Sequence, residues 1–209
     1  MSTRIAFIDK ETTGLIPGTH ELWETAIILR QEGQPDREYL WQYGPEHIET
    51  AVPIALEFGR YHERIIAAPG QVVAISPDAE DLLPSGTRDD LITVFENLLD
   101  GAVLVGVNTH FDAGFLLAFM RTTDPVWNYH LENIPSLALG YLHGKGMPTP
   151  PAGSKSTVLY EALGLTPDAT VAHTALGDAR EVRKAWDLIN GTEPTPVSAR
   201  ESILAGATR

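Results

Sequence analysis

The sequence predicts an α/β domain: a mixed sheet of five strands, three antiparallel and two parallel, covered by helices. Three observations carry this. Apolar segments near the N-terminus are joined by turns too short for a crossover, so they pair antiparallel. Strand and helix patterns then alternate as far as residue 190. No linker or internal repeat interrupts them. A chain of 209 residues suits one well-filled domain, here 1–190. A Pro/Thr/Ser-rich tail over 191–209 is expected to be disordered or to serve for docking.

The first strand is the run Ile5-Ala6-Phe7-Ile8, stopped by the polar turn Asp9-Lys10-Glu11-Thr12-Thr13-Gly14. Pro17-Gly18-Thr19 loops to a second strand over 22–29, and Gly33-Gln34-Pro35 turns it into a third over 38–43. Residues 45–66 read as mostly helical, since Ala51, Ile54, Ala55 and Phe58 share helical spacing, although Pro53 blurs the start. Residues 67–86 read as loop with at most one short strand, over 72–75. Thr87 and Asp90 match a capping box ahead of the stripe Leu91, Val94, Phe95 and Leu98. After Asp100-Gly101 come a buried strand over 102–107, a helix over 112–121, a strand over 127–133 and a helix over 136–142. A breaker-rich loop fills 144–153, Ser154 caps a helix ending near Gly164, and the last helix covers 173–190.

Composition narrows the function. Hydrophobic residues at 43% and charged residues at 21% exclude a disordered chain. No apolar run approaches the ~18 residues of a membrane span, and the start leads directly into a strand, leaving no room for a signal peptide. Cysteine is absent, which excludes disulfides and thiolate-bound zinc and suits a cytoplasmic protein without membrane contact. A net charge of −13 argues against a tight, extended duplex binder, because such binding leans on Lys and Arg. Carboxylates that bind cations count as negative only until they are loaded. A protein gripping a strand end needs few phosphate contacts in any case.

Candidate chemistry lies where the strands end. Asp and Glu are depleted in strands, so Asp9 and Glu11 at the end of a buried one call for an explanation. Residues two apart at a strand end point to one side, where both carboxylates can reach one hard cation. Taken alone they are more simply solvated turn residues. Asp112 follows the strand-like Val105-Gly106-Val107-Asn108, and alone it reads as a helix-start Asp favoured by the macrodipole. Asn108 alone is a turn residue. His173 precedes Asp178 by five positions, about 140° apart on a regular helix. A His on the incoming turn and an Asp one turn inside can still flank one site. Alone, they are a surface histidine and a solvated helix residue.

In combination and order these segments resemble the DEDDh exonucleases, the DnaQ-like superfamily with a ribonuclease H-like fold that includes proofreading exonuclease subunits and RNA-trimming enzymes. Asp9-Lys10-Glu11-Thr12-Thr13-Gly14-Leu15 looks like the first motif, Asn108-Thr109-His110-Phe111-Asp112 with Phe115-Leu116 like the second, and His173-x-Ala175-x-x-Asp178-Ala179 like the third. The likeness runs over roughly residues 4–190. Two positions depart from it. Lys10 stands where a small residue is common, and Val107 where a histidine often precedes the asparagine.

The resemblance implies release of nucleotides from the 3′ end of single-stranded DNA or RNA. Asp9, Glu11, Asp112 and Asp178 would hold two divalent cations, Mg²⁺ or Mn²⁺, about 3.5–4 Å apart. Asp9 would bridge both ions. His173 would be the general base, since an imidazole exchanges protons near neutral pH, with His110, beside Asp112, as the rival. Thr12, Thr13, Gly14 and Leu15 would meet the terminal nucleotide, and Asn108 and Phe111 would add contacts. Phe111 is equally a stacking residue or core packing. A polymerase or another replication or repair partner could dock on the tail. One competing reading is a catalytically silent nucleic-acid-binding or polymerase-partner module of the same fold. Another is an internally cutting nuclease or polynucleotidyl transferase of the wider ribonuclease H-like group, which leaves the His173–Asp178 motif without a reason. Nothing in the motifs separates DNA from RNA, because the 2′-hydroxyl is sensed by local geometry.

Overall fold

The sheet grows outward from its first strand. In the computed structural model, which describes residues 4–192, β1 (Arg4–Thr12), β2 (Leu22–Gln31) and β3 (Arg37–Tyr43) form an antiparallel meander. β4 (Gln71–Ala74) and β5 (Ser85–Thr87) continue it antiparallel beyond β3. On the other side of β1, β6 (Val103–Gly106) and β7 (Glu132–Asn133) run parallel to it. The order is β5-β4-β3-β2-β1-β6-β7. This is the expected mixed α/β sheet, with seven strands in place of five among the described residues. The tail expected to dock or be disordered lies, from residue 193 on, outside the described residues.

The differences have local causes. β1 does not stop at Ile8: it runs on through Asp9, Lys10 and Glu11, because Asp9 pairs with Ala26 and Glu11 with Glu24, until a bulge between Glu11 and Thr12 breaks the register. β5, Ser85-Gly86-Thr87, has no apolar alternation and exists because its backbone pairs with β4. The strand expected over 127–133 shrinks to Glu132–Asn133, while Trp127 is buried and Asn128 N–H donates to the Ala102 carbonyl at 2.9 Å.

The helices divide similarly. The segment expected to be mostly helical breaks into a 3₁₀ turn (Ile48–Thr50), α1 (Pro53–Phe58) and α2 (Tyr61–Arg64), with Arg60 in the left-handed region at φ 51° between the last two. α3 (Pro77–Leu82) fills part of the expected loop. α4 (Arg88–Leu99) carries the expected reciprocal Thr87–Asp90 capping box. α5 (Thr109–Met120) starts ahead of the expected 112, α6 is Ile134–Gly144 and α7 is Ser156–Ala162. Ser154 does not cap α7; its hydroxyl donates to the Pro151 carbonyl at 2.7 Å, and Lys155 takes the cap position. α8 (Ala175–Asn190) is capped by Thr174, whose hydroxyl accepts from Gly177 N–H at 3.1 Å.

Each sheet face is buried, which is why β2 is apolar almost throughout. On one face Ala6, Ile8, Ile27 and Leu29 pack with Leu91 and Phe95 of α4 and Phe115 and Phe119 of α5. On the other, Phe7, Ala26, Ile28 and Val105 pack with Ala138 of α6, Tyr160 of α7 and Ala179 and Val182 of α8. The alternation along β1 therefore assigns each residue to one helix layer.

Phe95 is fully buried, its ring at an edge-on 5.9 Å from that of Trp41, whereas Phe58 is 61% exposed. Urea unfolding should show Phe95→Ala losing about 3–5 kcal/mol and Phe58→Ala less than about 1 kcal/mol. Equal losses would contradict the assignment of the core.

Candidate active site

Because Phe7 faces α8 and Ile8 faces α5, the next residues follow in alternation: Asp9 and Glu11 emerge towards α8, and Lys10 towards α5. Asp178 comes from the first turn of α8 to meet the first pair. Carboxylate oxygens of Asp9, Glu11 and Asp178 lie within 4.8 Å of one another. On the other side, Lys10 Nζ stands 3.7 Å from Asp112 Oδ1, both side chains being buried. Three of the four expected carboxylates form this tight cluster. Asp112 faces Lys10 on the α5 side, and its charge still bears on Asp9.

The electrostatics of the cluster follow from burial first and mutual repulsion second, with Lys10, Arg64 and His173 opposing only in part. Burial raises Asp9 well above the ordinary carboxylate value, and the charges of Asp112, Asp178 and Glu11 add to it. Burial pushes Glu11 up to about 8, with help from Glu24, its cross-strand neighbour in β2. Asp178 is raised by burial, against the opposing pull of His173. Burial also lifts Asp112, to about 6, while Lys10 holds it down. The same burial lowers Lys10, which Asp112 and Asp9 oppose. An all-oxygen donor set at this spacing, destabilised by its own repulsion, fits a hard divalent cation.

A second layer fixes the first. Glu24, 1% exposed, accepts from Ala175 N–H and Gln42 Nε2, each at 3.1 Å, and pairs with Arg64. Arg64 in turn donates to the carbonyls of Gly59 at 2.7 Å and His173 at 3.0 Å. His173 is exposed and lies in the left-handed region at φ 58°, its ring 5.8 Å from that of Phe58. Gly177 allows the bend to sit tightly on α8, since a Cβ there would lie 2.2 Å from the Val171 carbonyl oxygen. Sequence reasoning missed Glu24 and Arg64. A glutamate inside the strand-forming Leu22-Trp23-Glu24-Thr25-Ala26 was the available signal for the first.

The other expected contacts are placed as follows. Thr12 Oγ1 donates to the Gly14 carbonyl at 2.7 Å, and Thr13 exchanges hydrogen bonds with the Glu21 backbone through its N–H and its hydroxyl. Both side chains therefore shape the turn from within. Gly14 is required there, since a Cβ would fall 2.5 Å from the His20 ring. Leu15 leaves the turn 74% exposed. Asn108 is exposed at the N-cap position of α5 and makes no side-chain cap bond; its carbonyl accepts from Phe111 N–H. Phe111 is half-buried with its ring 4.8 Å from that of Phe115. His110 is exposed on the first turn of α5, the helix of Asp112 rather than that of Asp178.

Stability should depend on pH through these carboxylates. Glu11 titrates at about 8 in the fold against an ordinary 4.5, so below 4.5 it costs nothing and by about pH 8 its ionisation opposes folding in full. Asp9 and Asp178 shift in the same direction. Thermal melts of metal-free protein should fall between about pH 5 and pH 8. Divalent cation should raise the melting temperature more at the upper end, and Glu11→Gln should flatten the slope. A pH-independent melt with no cation effect would contradict this electrostatic account.

No family model matches the sequence, and no curated protein does. Solved structures do. E. coli exonuclease I in complex with a dT13 oligonucleotide matches at TM-score 0.62 and 17% identity, over 92% of this chain and 42% of that one. The zinc-bound E. coli exonuclease I–ssDNA complex matches at 0.63 and 16%, over 93% and 42%. An exonuclease I/SSB-Ct complex matches at 0.60 and 16%, over 93% and 42%. The chain spans less than half the length of these neighbours. What the likeness establishes is a fold in common with exonuclease I, extending over nearly the whole of this chain.

Proposed function

We propose that this chain is a metal-dependent 3′→5′ exonuclease that hydrolyses the terminal phosphodiester of single-stranded nucleic acid, DNA foremost. The observation that carries the reading is the convergence of Asp9, Glu11 and Asp178 beside the bend that presents His173. The three motifs support it, and so does the fold shared with an exonuclease solved in complex with oligonucleotide. That neighbour's ligand is why DNA is placed ahead of RNA.

A divalent cation, Mg²⁺ or Mn²⁺, would neutralise the phosphate and acidify the attacking water. Asp9, Glu11 and Asp178 would hold it, and the family resemblance gives Asp112 to a second ion. His173 takes the proton from the attacking water. It is exposed, it stands on the Asp178 side of the site, and Arg64 pins its carbonyl, so the imidazole is presented from a fixed backbone. Thr12, Thr13 and Gly14 keep the turn in shape, and the exposed Leu15 wedges against the last base. Asn108 and Phe111 lie on the α5 side of the strand end.

The way the basic residues are spent fits an enzyme that holds only an end. Arg30 is tied to Asp36 and Asp187, Arg180 to Glu38, and Arg183 lies near Asp36 and Glu38. None of these offers a free guanidinium to a long phosphate backbone. The exonuclease I neighbour bound to SSB-Ct supports a replication or repair partner for this chain as well. No helix among the described residues is long and apolar enough to cross a membrane.

The test is trimming of end-labelled single strands, DNA and RNA in parallel, with Mg²⁺ or Mn²⁺. Shortening from the 3′ end is expected, abolished by EDTA and by Asp9→Ala, with a circular strand left intact. His173→Ala should lower turnover about 10²–10⁴-fold while cation binding persists. A larger loss in His110→Ala would transfer the base role to His110. No trimming of either polymer would leave the silent binding module as the reading.

A further inference from the structure

The residue between the two motif carboxylates is a lysine whose side chain has no solvent exposure. Its Nζ makes no hydrogen bond and lies 3.7 Å from Asp112 Oδ1. A buried ammonium carries three donors, and leaving them unsatisfied is costly unless nearby negative charge compensates. Here that charge comes from Asp112 and from Asp9. Asp112 is itself 4% exposed and stays out of the three-carboxylate cluster.

We propose that the Lys10 ammonium occupies the place of a second cation, so that the substrate-free protein holds one divalent ion, on Asp9, Glu11 and Asp178, and Asp112 serves as the counter-ion of Lys10. This rests on the reading of the three-carboxylate cluster as a cation site. The strand geometry makes the arrangement hard to avoid. β1 is still paired to β2 at Lys10, which stands opposite Thr25, so its side chain must leave on the α5 face. That face is covered by α5 and α4, and the lysine side chain is enclosed there without solvent exposure.

Charge balance agrees. Asp9, Glu11, Asp112 and Asp178 carry four negative charges when ionised. One divalent ion with the Lys10 ammonium leaves a single negative charge. A second divalent ion with Lys10 still in place would turn a buried site positive. It must therefore displace Lys10 or arrive with the negative charge of a substrate phosphate. In the substrate-free protein the lysine holds that position.

The experiment is Mn²⁺ titration of the full chain without nucleic acid, followed by calorimetry and by the spin-resonance signal of free Mn²⁺, with melts to confirm folding. The native protein should take up one ion. Lys10→Met keeps a stem of similar length, removes the charge and should bind a second ion at least tenfold more tightly than the native protein does. Asp112→Asn should still bind one ion, because Asp112 is not a ligand of the resident cation. Two ions of comparable affinity on the native protein would overturn the proposal. So would a folded Lys10→Met that still binds only one, or loss of an ion in Asp112→Asn. Asp112→Asn decides the question alone if Lys10→Met does not fold. A folded native protein that binds no Mn²⁺ would instead overturn the cation site itself.

Discussion

The site depends on one constraint: β1 remains a paired strand up to the bulge after Glu11. Side chains of a paired strand alternate between faces, and both faces of this sheet are covered by helices. Asp9 and Glu11 are thereby delivered to α8, which supplies Asp178, and Lys10 is delivered to α5, which supplies Asp112. A shift of one residue in the β1–β2 register would exchange these assignments and bury Asp9 and Glu11 beneath α5. The antiparallel pairing of Asp9 with Ala26 and Glu11 with Glu24 thus does chemical as well as structural service.

That placement loads the strand end with charge that the fold only partly compensates. Glu24 is balanced by Arg64 and by the Ala175 N–H, and Asp112 by Lys10. Burial raises Asp9, Glu11 and Asp178 together, and Lys10, Arg64 and His173 offset this only in part, with no ion pair to any of the three among the described residues. A site with this imbalance stores affinity for a hard cation, since binding one removes the repulsion that ionisation creates. The Glu24–Arg64 pair extends the effect outward. Through the His173 carbonyl it ties the bend before α8 to the end of α2, so the residue proposed for proton transfer is held by the pair that flanks Glu11.

Much of this was legible in the sequence where the signal is local. The apolar run before Asp9, the two-residue spacing to Glu11, and the cap and stripe of α4 each depend on a few neighbouring residues, and each appears in the structure. Long-range pairing was not legible. Ser85-Gly86-Thr87 has no strand pattern and becomes β5 only because β4 lies beside it. The helix expected over 45–66 gave no hint that Arg60 would adopt a left-handed conformation and split it. In the site, the direction of the Lys10 charge could not be fixed, because it depends on which helix covers which face. Glu24 was passed over because its partners, Arg64 and Ala175, are distant in the chain.

In this acidic chain Arg30, Arg64, Arg121, Arg180 and Arg183 pair with its own carboxylates, which suits the proposed grip on a strand end better than a clamp on a long polyanion. The most direct measurement is anomalous diffraction from crystals grown with Mn²⁺. The account predicts one strong peak among the carboxylates of Asp9, Glu11 and Asp178, with Lys10 still against Asp112. A peak bridging Asp9 and Asp112 with Lys10 displaced, or no peak among the three carboxylates, would contradict it.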